Sequence, residues 1–512
     1  AHGLDPNDPL DAALDPDSDG MSNSYEIAHG YDINLYTKVV YVDGTNGLDS
    51  NDGLSLPTAK QSIGAAISIA QNTNSENIIL VAAGTYNGSA NSNLDYNGYD
   101  IRLHSISGKS LTIIDLDQQP RFLNIHSGET LVSEVVGFTF KNGTSGDGCI
   151  FNVSSSSKLK LRDIVVTDCT IAGSGGAIDC NNAYVEMTNV TVKACISGEW
   201  GFGGALRVRG DNGYIKAYSC NFSNNTSGFG GVGYIDMWSE AEFDSCTFEN
   251  NRSIYSAGVF YIAGGELTLK NCLIKGNTSQ DNYASIYCEE WYDYGYEEWW
   301  EGELIWAEPA NAVTMINVTS FNNSSSGGID MRLGGEDIII LNSILRGSIS
   351  GEIDSIDYSN TISSYGGTGN FNSDPQLSPT GYPLATSPCI DTGTATGAPA
   401  VDIYGITRPV GSGIDIGCYE FKDSDGDGIP DYVETASGLD PNDASDASGD
   451  ADGDGINNLA EYQAGTNPNS TDSDADGMDD NDEITLGYDP AIYSKIAYVD
   501  GTNGSDSNDG LT

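Results

Sequence analysis

Carboxylates recur at fixed spacing towards the end of this 512-residue chain. Asp423, Asp425, Asp427, Asp431 and Glu434 take positions 1, 3, 5, 9 and 12 of one loop, with Gly428 at position 6 and Ile429 at position 7. Oxygen ligands at those positions, a glycine for the sharp turn and a main-chain carbonyl at position 7 are what a twelve-residue Ca²⁺ loop requires. The pattern returns as Asp450, Asp452, Asp454, Gly455, Ile456, Asn458 and Glu461, and again as Asp472, Asp474, Asp476, Gly477, Met478, Asp480 and Glu483. Near the start stand Asp15, Asp17, Asp19, Gly20, Met21, Asn23 and Glu26. One match can arise by chance. Four with the same glycine and the same terminal glutamate predict four Ca²⁺ sites, with the carbonyls of Met21, Ile429, Ile456 and Met478 among the ligands. Mg²⁺ is disfavoured, because it demands near-ideal octahedral geometry and keeps its waters.

Composition agrees with a cation-dependent protein. There are 74 Asp and Glu against 21 Lys and Arg, a net charge of −53. Such a chain repels phosphates, which excludes a nucleic-acid partner and disfavours an anionic membrane surface. No apolar run reaches the roughly 18 residues that a membrane span needs, and no signal peptide is visible.

The loops are followed by turns that read Gly438-Leu-Asp-Pro441, Gly465-Thr-Asn-Pro468 and Gly487-Tyr-Asp-Pro490. Loop and turn together resemble the bacterial thrombospondin type 3 repeat, with its DxDxDGxxDxxE core. The resemblance covers about residues 1–35 and 422–492. It implies a Ca²⁺-stiffened connector between larger domains, and it does not imply an enzyme.

The chain also repeats itself at long range. Tyr41-Val-Asp-Gly-Thr-Asn-Gly47 and Asp49-Ser-Asn-Asp-Gly-Leu54 return as Tyr498-Val-Asp-Gly-Thr-Asn-Gly504 and Asp506-Ser-Asn-Asp-Gly-Leu511. Gly3-Leu-Asp-Pro-Asn-Asp8 returns as Gly438-Leu-Asp-Pro-Asn-Asp443. A chain that reopens with its own words is expected to be one period, plus overlap, of a tandem array.

Between the connectors the period is shorter. Gly175-Gly-Ala-Ile178, Gly203-Gly-Ala-Leu206, Gly230-Gly-Val-Gly233, Ala257-Gly-Val-Phe260 and Gly327-Gly-Ile-Asp330 alternate with Phe222-Ser-Asn-Asn225, Phe248-Glu-Asn-Asn251 and Ile274-Lys-Gly-Asn277. Val166, Val192, Phe222, Phe248 and Ile274 recur at matching places every 26 to 30 residues. Short alternating strands at that period, broken by Gly and Asn, describe the coils of a parallel β-helix, in which inward residues stack in rows. Cys220, Cys246 and Cys272 should form one such row, and Cys169 with Cys195 another, in the place of the last Asn of the FxxN words. Buried thiols packing as small apolar groups are the favoured state of these rows. Cys389 and Cys418 are the other pairing candidate and should lie within disulfide reach.

Ser62-Ile-Gly-Ala-Ala-Ile67 resembles the N-terminal cap helix of right-handed β-helix proteins, Val81-Ala-Ala-Gly-Thr-Tyr86 their first-coil segment, and Gly137-Phe-Thr-Phe-Lys-Asn-Gly143 a later coil. The GGAI and FxxN words are similar to those of chlamydial polymorphic outer membrane proteins. Asp374-Pro-Gln-Leu377, Ser387-Pro-Cys-Ile-Asp391 and Asp415-Ile-Gly-Cys-Tyr-Glu420 resemble the closing segment of secreted, surface-anchored β-helix proteins. The resemblance implies a pectate-lyase-like fold and an exported protein. It leaves activity open, since one fold hosts many functions.

Candidate acid, base or cationic groups on the coils are Asp179, Arg207, Arg209, Asp236, Asp330 and Arg332, which follow the GG words in different coils. Charges at outward strand positions are ordinary on any solvated solenoid, and no motif identifies a nucleophile, so no catalytic residue is assigned. The insertion at 289–306 carries four of the six Trp. Stacking on a glycan, contact with another subunit and packing on its own coils all remain open roles for it.

The expected architecture is all-β, a right-handed parallel β-helix over 38–421 with Ca²⁺-loop and short-helix connectors at 1–37 and 422–495, and the start of a next repeat at 496–512. The expected function is that of an extracellular structural protein. Its repeats would join head to tail in a filament, stalk or adhesin shaft on a bacterial surface. A secreted polysaccharide-active enzyme or glycan-binding module is the alternative.

Overall fold

The computed structural model describes residues 13–16, 22–24, 27, 33–34, 37–71, 76–117, 119–144, 147–171, 175–236, 238–288, 299–300, 303–304, 311–335 and 337–491. The chain divides into two compact units, one of residues 1–341 with 345–356, the other of 342–344 with 357–512. The first loop's Asp17, Asp19, Met21 and Glu26, most of the Trp-rich insertion and the returning words at 498–511 lie outside the described residues.

The first unit is a right-handed parallel β-helix. Its strands pair in parallel with the strand one coil earlier. Among the described residues, one face is a ten-stranded sheet running from Leu94–Asp95 to Ile349–Ser350, and another is a six-stranded sheet from Thr170–Ile171 to Ser324–Ser325. The remaining faces form a larger sheet in which each coil contributes two strands, for example Tyr214–Tyr218 and Asn221–Ser223.

The corners between faces are built by residues that tolerate a left-handed backbone. Asp163, Asn189, Ser219, Ser245, Asn271 and Asn317 occupy one corner, with φ between 50° and 55°. Asn142, Asp168, Ala194, Asn224, Asn250 and Asn322 occupy the next, with φ between 52° and 61°. Asn and Asp pay less for this conformation than other non-glycine residues, because their short polar side chains bond the local backbone. A sharp bend at the same place in each coil keeps the strands superimposed.

The predicted inward row is present. Val166, Val192, Phe222, Phe248 and Ile274 pair rung on rung, and all are fully buried. Phe222 and Phe248 stack with centroids 5.4 Å apart. On the ten-stranded face, Gly233 leaves room for its neighbour one coil later, since a Cβ there would sit 2.9 Å from the Phe260 ring.

Beside this row runs a ladder of amides. Asn225 Nδ2 donates to Asn251 Oδ1, Asn251 Nδ2 to Asn277 Oδ1, and Asn277 Nδ2 to Asn323 Oδ1, each at 3.0 Å. Each Oδ1 also accepts a backbone N–H of the preceding coil, and Nδ2 of Asn225, Asn251 and Asn277 donates to a strand carbonyl of the coil before. Cys195 and Cys169 occupy the same rung further back, because Ile196 pairs with both Thr170 and Thr226. The Cys195 N–H donates to Asn225 Oδ1 at 3.1 Å. Cys220, Cys246 and Cys272 form the second predicted row, each directly before a paired strand. The Cys220 N–H points at Cys246 Sγ, 3.4 Å away.

The helix α1, Ile63–Ala70, is capped by Ser62 and buries Ile63, Ala66, Ile67 and Ala70. It packs on Thr37–Val42 and covers the first rung, where open strand edges would otherwise invite association.

In the second unit, Ile344, Cys389 and Ile416 pack with Phe371 and Leu377. Cys389 and Cys418 are buried thiols, as are the other eight cysteines, and the Ile416 N–H donates to the Cys389 carbonyl at 2.9 Å. Buried Arg408 donates to the carbonyls of Asp415 and Gly417 and lies 3.5 Å from Glu420. Three seven-residue helices follow: α2 (Asp431–Ser437), α3 (Asn458–Ala464) and α4 (Asp480–Leu486). Each ends on a left-handed glycine, Gly438, Gly465 or Gly487, so the predicted turns are helix stops.

Replacing Asn251 by Ala should strand the Asn225 amide and two buried backbone groups. A cost of about 1–3 kcal/mol is expected, against less than about 0.5 kcal/mol for exposed Asn212→Ala. Hydrogen exchange of residues 221–253 measures both. Equal protection in the two variants would contradict the ladder's role.

Candidate metal centres of the connector

Each of α2, α3 and α4 is entered through an aspartate loop, and the three loops share one hydrogen-bond plan. At position 1, Asp423 accepts the N–H of Gly426 at 2.7 Å and of Gly428 at 3.0 Å. Asp450 does the same for Gly453 and Gly455, at 2.7 and 3.1 Å. Asp472 accepts from Asp476 and Gly477. At position 3, one oxygen each of Asp425, Asp452 and Asp474 accepts the N–H of the position-5 residue. At position 5, Oδ1 of Asp427, Asp454 and Asp476 accepts the N–H of Ile429, Ile456 and Met478, at 2.7–2.9 Å.

What is left over defines the sites. Oδ2 of Asp425, Asp427, Asp452, Asp454 and Asp474 is buried without a protein donor. So are both oxygens of Glu434, Glu461 and Glu483, each fully buried at position 12. In each loop the carboxylates of positions 1, 3 and 5 bring ligand atoms within 4.8 Å of one another. Buried anionic oxygens that face one another, with no donor to compensate them, carry a large desolvation and repulsion cost. A divalent cation with many oxygen ligands removes that cost, so the residues present fit Ca²⁺.

Titration reflects the crowding. Burial, then Asp427, Asp425 and Asp446, push Glu434 up to about 8. Burial, then the loop aspartates, push Glu461 and Glu483 up to about 7.

The position-9 residues do not join these clusters. Asp431 accepts from the N–H and Oγ of Ser424, both at 2.7 Å, and from Lys422 Nζ. Asp480 does the same for Ser473, and Asn458 accepts the N–H of Ala451. The side chain at position 9 therefore closes the loop on position 2 rather than facing the acids, because it starts the helix. Of the first loop, Asp15 and Asn23 are described, Asp15 exposed and Asn23 buried. The other four expected ligands lie outside the described residues. One acid was missed by the spacing pattern: Asp446 lies against Asp427 and Glu434.

The charged candidates on the coils separate into groups. Asp179, fully buried, receives Arg209 Nε at 3.2 Å and Nη2 at 2.9 Å. Asp147 lies 3.3 Å from Arg209 and 3.6 Å from Arg207. Burial raises the Asp179 carboxyl, and Arg209 opposes it. Asp179 pairs beside Arg207, and the outward row continues through Tyr234, Tyr261 and Tyr287 to Arg332. Five steps of about 4.8 Å place Arg332 some 24 Å away. Asp330 is buried elsewhere, 2.6 Å from Ser285 Oγ, and burial lifts it to about 6. Asp236 is half-buried, and its N–H donates to the Val208 carbonyl. The six do not converge. A surface groove lined by Tyr214, Glu240, Glu242, Glu266 and Lys270 holds a tighter cluster. There burial would raise Glu242, but Lys270, Lys216 and Tyr214 bond it directly and hold it at about 2. A carboxylate so committed is a poor general base.

Residues 125–294 match the family model described as right handed beta helix region. No curated protein matches the sequence. Among solved structures, the pectate lyase Pel9A is similar at 15% identity and a TM-score of 0.42, covering 75% of this chain and 97% of its own. A rhamnogalacturonan lyase is similar at 10% identity and a TM-score of 0.35, covering 63% and 87%. A protein of Geobacillus virus E2, ORF18, is similar at 12% identity and a TM-score of 0.31, covering 68% and 62%.

A pH dependence follows from the three glutamates. Their folded-state values lie above the unfolded value of about 4.3, so the metal-free fold binds extra protons. That contribution is present at low pH and is lost as pH rises through about 7 to 8. In EDTA, exchange protection of residues 450–486, corrected for intrinsic rates, should fall between pH 5.5 and 8.5. With saturating Ca²⁺ it should instead rise, because the cation displaces those protons. Protection that ignores pH in EDTA would contradict this electrostatic account.

Proposed function

We propose that this chain is an extracellular structural protein in which Ca²⁺-stiffened connectors alternate with β-helix units, joined head to tail in a filament, stalk or adhesin shaft on a bacterial surface. The observation that carries the reading is the set of buried, donor-less carboxylate oxygens at positions 3 and 12 of three successive loops, joined at position 5 in the first two. Connectors built this way gain order from a cation abundant outside cells. Ca²⁺ therefore switches the segment from a self-repelling strand of acids to a braced one. The return of the Tyr41–Leu54 words at Tyr498–Leu511 supports tandem repetition. Among the described residues no helix is long and apolar enough to cross a membrane.

A second reading rests on the outward aromatic surface. Tyr234 stacks on buried Tyr261, which meets Tyr287 at a tilt of 57°, and Phe202, Phe229 and Tyr255 extend the row to Trp200, 68% exposed. Arg207 lies over the Phe202 ring at 5.6 Å. Aromatic rings beside paired charges suit a neutral glycan chain, as a binding module or an enzyme.

Calorimetric titration of the intact chain with Ca²⁺ should reveal several sites, with dissociation constants on the order of 10⁻⁴–10⁻³ M as in extracellular modules. Electron microscopy of tandem copies should show beaded fibres that fray in EDTA. Absence of binding heat, or fibres indifferent to chelation, would sink the structural reading. Polygalacturonate and alginate should not be depolymerised. Release of unsaturated ends that Arg207→Ala abolishes would favour the enzyme, and glycan retention lost in Trp200→Ala would favour the binding module.

A further inference from the structure

The first connector loop has one more carboxylate around it than its repeat provides. Asp446 opens the single turn Asp446–Ser448, twelve residues beyond Glu434 and outside every aspartate loop. Its Oδ2 accepts the N–H of Asp440 at 2.8 Å, which fixes the side chain. Its Oδ1 is buried without a protein donor, and its carboxylate lies within 4.8 Å of ligand atoms of Asp427 and Glu434. Glu434 is itself fully buried, with both oxygens lacking donors. Three carboxylates from three segments thus converge on one point.

The second loop shows what this position looks like without the acid. Ser473 stands twelve residues beyond Glu461, and the Asn467 N–H donates to its Oγ at 2.8 Å. That is the bond Asp440 makes to Asp446. A serine has no second oxygen to turn inwards, so the second site keeps four acids where the first has five.

We propose that Asp446 is a fifth acidic ligand of the first metal site, which makes that site the tightest of the described three for a divalent cation of Ca²⁺ type. The inference rests on the Ca²⁺ reading of the connector. It adds a residue that the repeat pattern does not contain and an order of filling that the pattern does not predict. Affinity in oxygen-ligand sites follows the charge count and rigidity of the ligands, and Asp446 adds to both. It also ties the first site to the second loop. The Asp446 carbonyl accepts from Gly449 N–H at 2.7 Å and from Asn458 Nδ2 at 2.8 Å, and Asn458 Oδ1 closes the second loop on Ala451. A cation held by the Asp446 side chain therefore braces the main chain from which the second loop starts.

The test is Ca²⁺ calorimetry on the intact chain and on Asp446→Asn, Asp446→Ser and Glu434→Gln, with exchange protection of residues 450–461 at sub-saturating Ca²⁺. Asp446→Asn keeps an oxygen for the Asp440 N–H and so preserves the turn. The expected result is one binding event at least about tenfold tighter than the rest. Both Asp446 variants should bring it down to the others without changing the number of sites, and should lower protection of residues 450–461 at partial loading. Glu434→Gln should weaken the same event. Asp446 variants that titrate and exchange as the parent does, while Glu434→Gln weakens a site, would overturn the inference and leave the Ca²⁺ reading standing. No binding in the parent chain would overturn both.

Discussion

Parallel pairing without offset sets each residue of a coil directly above its counterpart one coil earlier. Every feature of the first unit inherits that constraint. Apolar residues stacked on apolar residues bury one another, so Val166, Val192, Phe222, Phe248 and Ile274 act as one column rather than as five contacts. A buried amide is tolerable only if the next coil supplies its complement. Asn225, Asn251, Asn277 and Asn323 meet that condition because an amide is both donor and acceptor and so matches a copy of itself. Like charges gain nothing from self-stacking. One outward row turns from opposite charges to aromatics, where Asp179 meets Arg207 and Arg207 meets Tyr234, whereas Glu240 meets Glu266 and its carboxyl is raised by burial and by that neighbour.

The connectors obey the opposite rule. Their repeating units bring together groups that repel, and the main chain bonds both oxygens of the position-1 aspartate, one oxygen at positions 3 and 5, and neither oxygen of the position-12 glutamate. The N–H groups fix the orientation of the aspartates and leave Oδ2 of Asp425, Asp427, Asp452, Asp454 and Asp474 buried without a donor. Position 9 has a second use that spacing alone does not show. Aspartate there fits a ligand template, yet at the first turn of a helix its better use is to accept the position-2 N–H, and the fold takes that use in all three described loops.

Much of the solenoid was legible because its period is visible in types as well as in hydropathy. Cysteines at 220, 246 and 272 announce a register that hydrophobic residues alone leave ambiguous, and the same spacing holds in the strand pairing. The cap helix was legible only through the resemblance of Ser62–Ile67 to the cap helices of β-helix proteins, and its Ser62 cap is seen in the fold. The tyrosine row was not, because outward positions carry no constraint on type and the eye follows the inward ones. Asp446 was invisible for a different reason: its counterpart is a serine, and no repeat marks a residue that only one repeat uses. The division of the chain also follows contacts rather than motifs. Residues 357–421 group with the connector segment, whereas motif reading places them with the coils.

On the large sheet, strand pairing keeps its register across the Trp-rich insertion, while the ten-stranded face shifts register once, between Tyr283 and Ile286. Phe243 is followed by its partner Leu269 after 26 residues, but Leu269 finds Met315 only after 46, with Ala312–Ile316 in register throughout. Cys288 and Ala312, the strand ends on either side of it, still sit in columns with Ile262 and Glu266 of the coil before. Closing a longer loop costs entropy that grows only with the logarithm of its length, while each coil depends on its immediate neighbours alone. A solenoid of this kind can lengthen, replace or delete an excursion between two strands and keep the same spine. Variation in what it touches is thereby decoupled from what holds it together.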